Sequence, residues 1–126
     1  MGVAKDLRSR CLVRRFGQGA KEAVQLLPEV AAEIGFGGFL DQDNYTVYRP
    51  VSTEENPTGY HGRTSILELL QMSDTIRRLI MQKATSGEIH VQAVKEGMRT
   101  MYQDGLIKCL QGVTTLEEVL RVTQEA

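Results

Sequence analysis

The sequence predicts an α+β fold, mainly α: about four short C-terminal helices in a small bundle, with a short antiparallel strand pair and N-terminal helices. Three observations predict it. From Ser73 to Thr123, apolar residues recur at helical spacing between capping residues and glycines. YTVYRPV, residues 45–51, alternates and is rich in β-branched and aromatic residues, as a strand should be. STEENPTGYHG, which follows, is turn chemistry, with Asn56-Pro57 and Gly59 punctuating a polar loop.

Taken in order, residues 4–16 (AKDLRSRCLVRRF) read as a helix with Leu7, Cys11 and Leu12 on one side. Lys5, Arg8, Arg10, Arg14 and Arg15 make it basic. Gly17-Gln18-Gly19 breaks it, and AKEAVQLLPEVAAEI reads as a second helical stretch. Pro28 either kinks that stretch or starts a new helix as its first residue, and a break near Leu27 is favoured. Gly35, Gly37 and Gly38 end the region. Pro50 makes the 45–51 strand an edge strand or the end of one. RTSILELL, residues 63–70, reads as its returning partner, although Ile66, Leu67, Leu69 and Leu70 would also suit a helix. A lone strand pair is marginal in water and must pack on helices.

Ser73 is a fitting N-cap, with Asp74 in the first turn, where negative charge meets the helix dipole. Ser86 restarts a helix, which Gly97 can end in a left-handed turn. Residues 98–111 form the next, with Gly105 in its middle. A glycine there costs ~1 kcal/mol relative to alanine, and its expected use is a close helix crossing. Gly112 stops this helix. Thr114 or Thr115 caps the last one, with Glu117 or Glu118 three residues later, a capping box in either register.

The 126 residues make one domain or two small subdomains. With Trp absent and few aromatics, the core is expected to be aliphatic: Leu, Ile, Val and Met. A net charge of −1 argues against a free-standing nucleic-acid binder. No run of apolar residues is long enough to span a membrane. No signal peptide is visible, and Asp6 stands where a myristoylation motif needs Ser or Thr, so a cytosolic location is expected. Cys11 and Cys109 have neither disulfide nor zinc spacing and read as buried free thiols.

Chemistry is hard to find. FGQGAKEA puts Gly17, Gly19 and Lys21 at a helix start, but it lacks the spacing of a phosphate-binding P-loop. His61 and His90 have no partner at ligand spacing. Glu54-Glu55 lies in a solvated loop, and Glu117-Glu118 is explained by capping. The N-terminal arginines could meet nucleic acid, anionic lipid or an acidic protein face; an intramolecular or subunit contact is the favoured use. No catalytic, cofactor-binding or metal residue is assigned.

LRSRCLVRRF, YRPV, TGYHGRTSILELLQMSDTIRRLI and GMRTMYQDGLIKCLQGVTTLEEVLRVT together resemble the C-terminal end of one family. That family is the ATPases of type II secretion and type IV pilus assembly. Tyr60, Gly62, Arg63, Glu68, Gly97, Met98, Asp104, Gly105, Gly112, Thr114, Glu118 and Val119 stand where its pattern has those types. The resemblance is strong from Thr58 to Thr123 and weak from Gly17 to Asn44. Many members carry a four-cysteine zinc site, one pair after the Leu-Val-Arg-Arg run and one before the Gly-Tyr. Here those places read FGQGAKEA and VSTEENPTGY, without cysteine. No zinc is expected, and the strand pair and the Val24–Ile34 helix are expected to be held by apolar packing.

The resemblance implies a domain division: 1–16 leaving the ATPase core, 17–72 the zinc-less counterpart of the cysteine subdomain, and 73–126 the helical subdomain. It implies a non-catalytic structural and interaction domain of a hexameric motor, whose ATP and Mg²⁺ chemistry lies upstream. The motor would be cytoplasmic, peripheral at the inner membrane, and would act on a membrane platform protein. The rivals are a free-standing adaptor that binds a motor or platform subunit and, on the arginines alone, a small nucleic-acid module. The candidate structural or interaction residues are Arg14, Arg15, Tyr60, Gly62, Arg63, Glu68 and Asp104. Arg63 is expected to pair with Glu68 or Asp104.

Overall fold

The computed structural model describes residues 6–38 and 45–124, with the side chains of residues 6–10 left aside. The strands are β1 (Asp6–Phe16), β2 (Lys21–Leu26), β3 (Tyr45–Pro50) and β4 (Tyr60–Gln71). The helices are α1 (Pro28–Ile34), α2 (Asp74–Met81), α3 (Ser86–Lys95), α4 (Met101–Leu110) and α5 (Leu116–Gln124). A 3₁₀ turn, Phe36–Gly38, follows α1. The fold is mixed α+β, and among the described residues it has two antiparallel strand pairs, β1–β4 and β2–β3.

Three expectations are corrected here. The segment expected as a basic helix is instead strand β1, while Lys5 lies outside the described residues. Its sequence alternates, and from Cys11 on so does its burial: Cys11 is half-buried, Leu12 exposed and Val13 fully buried. That period of two defines a strand with one covered face. Second, the front of the expected helix at residues 20–34 is strand β2, and the helix begins only at Pro28. The favoured break at Leu27 is therefore where the structure puts it, with Pro28 in the first turn. Lys, Glu, Ala, Gln and Leu all suit a helix, but pairing with β3 overrides local propensity. Third, β3 and β4 are not partners. β3 returns to β2, from Lys21↔Pro50 to Leu26↔Tyr45, and β4 pairs with β1, from Asp6↔Gln71 to Phe16↔Tyr60.

The β1–β4 ribbon contains one irregularity. Arg14 faces Arg63 and Phe16 faces Tyr60, so β4 spends one more residue than β1 between those pairs. Gly62 sits in this bulge at φ +76°. A left-handed residue is what a glycine bulge requires, and the bulge re-aims the side chains beside it.

The helical half follows its local signals. Ser73 Oγ accepts from Ile76 N and caps α2. Two capping boxes specify α3 and α4, Thr85 with Glu88 and Thr100 with Gln103. The third helix therefore starts at Met101, three residues later than its apolar pattern suggests. Gly97 turns left-handed after α3, at φ +100°.

The core gathers Ala31, Phe36, Tyr45, Val47, Leu106, Cys109 and Val119, with Val24, Leu26 and Ile34 packed against it. β2, α1 and β3 are thus held to the helical half by apolar contact. The aliphatic expectation needs correction: Phe36 and Tyr45 stack inside it at 5.1 Å, and no methionine is fully buried among the described residues. Two aromatic rings cover much area, so few are needed.

Candidate functional site

Two side-chain clusters tie the ribbon to the helices. The first is built around Glu118, whose carboxylate is only 2% exposed. It accepts from the Arg14 backbone N–H at 2.8 Å and from Arg14 Nη2 at 3.2 Å. On its other side, Arg121 Nε and Nη2 donate to it at 3.0 and 3.1 Å. Arg121 lies three residues on, a spacing that puts both on one helix face.

The surroundings complete the cluster. The Arg14 guanidinium lies over the Tyr60 ring, 4.2 Å from its centroid. The Tyr60 hydroxyl meets Thr115 Oγ1 at 2.9 Å, and Phe16 stacks on the same ring. Thr114 Oγ1 donates to the Arg14 carbonyl at 2.6 Å, and Phe16 N–H donates to the Val113 carbonyl at 3.0 Å. Beyond β4, therefore, the other edge of β1 at residues 14–16 is closed by the start of α5. Thr115 caps α5 by accepting from Glu118 N–H, but the Glu118 side chain turns to the arginines. The expected capping box at this helix is half realised.

Burial alone would push Glu118 up. The hydrogen bonds from Arg121 and then Arg14 outweigh it and hold the carboxyl at about 2, against an ordinary 4.5. Because the folded value lies below the unfolded one, this stabilisation is complete above about 4.5 and is lost as pH falls toward 2. It amounts to roughly 2–3 kcal/mol, trimmed because both guanidinium groups are half in solvent. Urea unfolding between pH 6 and 2.5 should show a steeper acid loss in the native chain than in Glu118→Gln.

The second cluster joins β4 to α4. Asp104 Oδ2 accepts from Leu67 N–H at 2.8 Å and from Lys108 Nζ at 3.0 Å, and Arg99 lies 3.7 Å from Oδ1. Glu68 Oε2 accepts from Met101 N–H at 2.9 Å, where the helix dipole favours a negative charge.

Of the residues named from sequence, Arg14 and Tyr60 meet in the first cluster, and Glu68 and Asp104 form the second. Gly62 and Arg63 lie at the rim of the first, and Arg15 is exposed with its stem over Gly62. The pairing expected for Arg63 is not found. It is exposed, and among the described residues Asp104 pairs with Arg99 and Lys108 instead. Glu68 is five residues along the strand, an odd separation that puts it on the opposite face. Sequence reasoning missed Glu118 as an ion-pair centre, and with it Arg121. The signal was present in their i, i+3 spacing, but capping explained Glu118 too readily.

The cysteines differ. Cys109 is buried and its thiol is pushed up to about 12 by that burial, whereas Cys11 is half-buried. Native labelling with a maleimide should modify Cys11 and spare Cys109, and denaturant should release the second. Equal native rates would contradict the packing described.

The loop at residues 17–20 lies beside the loop at residues 51–59. Gly17 N–H donates to the Gly59 carbonyl at 2.9 Å and Val51 N–H to the Ala20 carbonyl at 2.8 Å. Backbone hydrogen bonds thus join the two loops. Among the described residues, no three His, Cys, Asp or Glu side chains come together as metal ligands. Nor, among them, is any helix long and apolar enough to cross a membrane.

The ribbon, the helical half and the clusters that tie them belong to a known protein class. The family model of type II/IV secretion system proteins matches residues 6–121, and the chain belongs to that family. It is 46% identical over 115 residues to the type II secretion system protein E of Xanthomonas campestris, covering 91% of this chain and 20% of that protein. It is 40% identical over 118 residues to the type IV pilus assembly ATPase PilB of Thermus thermophilus, covering 93% of this chain and 13% of that protein. To the type II secretion system protein HxcR of Pseudomonas aeruginosa it is 48% identical over 71 residues, 56% of this chain and 15% of that protein. The chain spans one fifth or less of the length of these relatives.

Proposed function

We propose that this chain is the C-terminal structural and interaction domain of a hexameric ATPase that drives type II secretion or type IV pilus assembly. The supporting relatives carry those names. One observation carries the mechanical part of the reading. Glu118 holds β1 and α5 together across 104 residues of sequence, so displacement entering at β1 is delivered to the last helix. The domain buttresses the core and orients its neighbours. ATP and Mg²⁺ belong to the core, since phosphoryl transfer is chiefly positioning and electrostatics by groups around the phosphates. The motor is cytoplasmic, peripheral at the inner membrane, and acts on a membrane platform protein. From Asp6 to Leu12, β1 has β4 on one side and no second strand neighbour among the described residues, and a long strand edge is a ready template for pairing with another chain.

The test uses the intact motor. Glu118→Gln should leave nucleotide binding intact and reduce secretion or piliation together with ATP turnover. Unchanged secretion, or ATP hydrolysis by residues 1–126 alone, would overturn the reading. A reading frame upstream of Met1 that lacks GxxxxGK[ST] would favour the adaptor instead. We also infer a zinc-free domain, supported by the loop hydrogen bonds above. Metal analysis of purified protein finding about one zinc per chain would sink it.

A further inference from the structure

We propose that an open depression on the outer face of the β1–β4 ribbon docks an acidic polypeptide segment. Its volume is about 790 Å³, and Leu12, Arg14, Tyr60, His61, Arg63 and Arg121 line it. Arg14, Arg63 and Arg121 are among the lining residues and no carboxylate is; Glu118, which pairs with Arg14 and Arg121, lies buried behind them. The wall is therefore net positive in a chain whose own net charge is −1. A local excess against the overall balance is a directed field rather than a general one.

A second observation is the register. Arg14 lies directly opposite Arg63 on the paired strands. Like charges so placed are destabilising. Arg14 is drawn away over Tyr60 and onto Glu118. Arg63 stays exposed, with no ion pair or hydrogen bond among the described residues. Its guanidinium fork suits carboxylate or phosphate equally.

Size and lining choose between the ligands. Cavities of about 300–1,000 Å³ hold drug-sized molecules, far more than one oxyanion fills. Leu12, 46% exposed, adds an apolar contact. A peptide with carboxylates around an apolar residue matches both features. A single-stranded nucleic acid needs a free aromatic platform, and here Tyr60 is covered by Arg14 and stacked on Phe16. This inference goes beyond the motor reading and holds for either secretion or pilus systems.

Fluorescence anisotropy of a labelled Glu-Glu-Leu-Glu-Glu peptide against the 126-residue chain tests it. Saturable binding at low salt is expected, falling as NaCl screens the charges. Arg63→Glu, at an exposed site, should weaken binding by about ten-fold or more, as charge reversal at a complementary surface does. Lys95→Glu, on α3 outside the depression, should leave it within about two-fold. Equal binding of the Gln-Gln-Leu-Gln-Gln peptide, or undiminished binding by Arg63→Glu, would overturn the proposal. So would absence of binding at low salt, or displacement by inorganic phosphate or oligo-dT at matched concentration. These outcomes are independent of ATP turnover, so they stand apart from the fate of the motor reading.

Discussion

Glu118→Ala is expected to destabilise the folded chain by roughly 2–4 kcal/mol. Four hydrogen bonds end on this carboxylate, and it is 2% exposed. The substitution leaves the Arg14 backbone N–H without its acceptor and opens a cavity behind it. The two guanidinium groups, each about half exposed, can return to water, which keeps the loss below that of a fully buried pair. Against a total stability of about 5–15 kcal/mol, this is a large fraction. Glu118→Gln keeps the volume and one acceptor and should lose about half as much. Replacing Arg14, Glu118 and Arg121 together by Met, Leu and Met should be far milder than Glu118→Ala, because no unpaired charge remains. Urea unfolding decides it: a loss under about 1 kcal/mol for Glu118→Ala would show that the network adds little to stability.

Gly105 should reverse the ordinary helix rule. Alanine is favoured over glycine in a helix by ~1 kcal/mol. Here an added Cβ would lie 2.5 and 2.9 Å from the two methyl groups of Val119 and 3.2 Å from its Cβ. Val119 is fully buried and β-branched, so it cannot rotate aside cheaply. Overpacking costs typically about 1–3 kcal/mol, so Gly105→Ala should be net destabilising by about 1–2 kcal/mol despite its helix propensity. Gly105→Val, bulkier and β-branched, should lose about 3 kcal/mol or more. Combining Gly105→Ala with Val119→Ala should recover at least about 1 kcal/mol relative to the sum of the single effects. Additive effects would mean that α4 and α5 do not cross where these atoms place them.

The helices after Ser73 were legible because local signals agreed. Caps, charges, left-handed glycines and apolar spacing all pointed the same way. The crossing at Gly105 was readable for the same reason: a residue unfavourable in a helix needs a packing cause. β1 and β2 were not legible, because their partners lie far away in sequence. β2 is made of residues that suit helices, and only Tyr45–Pro50 beside it makes it a strand. β1 carried its alternation openly, but Leu7, Cys11 and Leu12 also fit a helical stripe, and arginines hid the period. The candidate site was legible in half. Arg14, Tyr60, Glu68 and Asp104 could be named as residues, but not which carboxylate each arginine would choose. That choice depends on the bulge at Gly62 and on where α5 ends up, and neither is written locally.

The bond between Arg14 and Glu118 also sets an order of events at the ribosome. β1 is made before both of its partners: the strand it pairs with begins at Tyr60 and the helix closing its edge begins at Leu116. Until those residues emerge, an eleven-residue strand has nothing to pair with. Contacts so distant in sequence slow folding and leave an open edge to aggregate. Folding of this domain therefore completes only after its last helix has left the exit tunnel, and truncation before Glu118 should yield insoluble chain rather than a smaller domain.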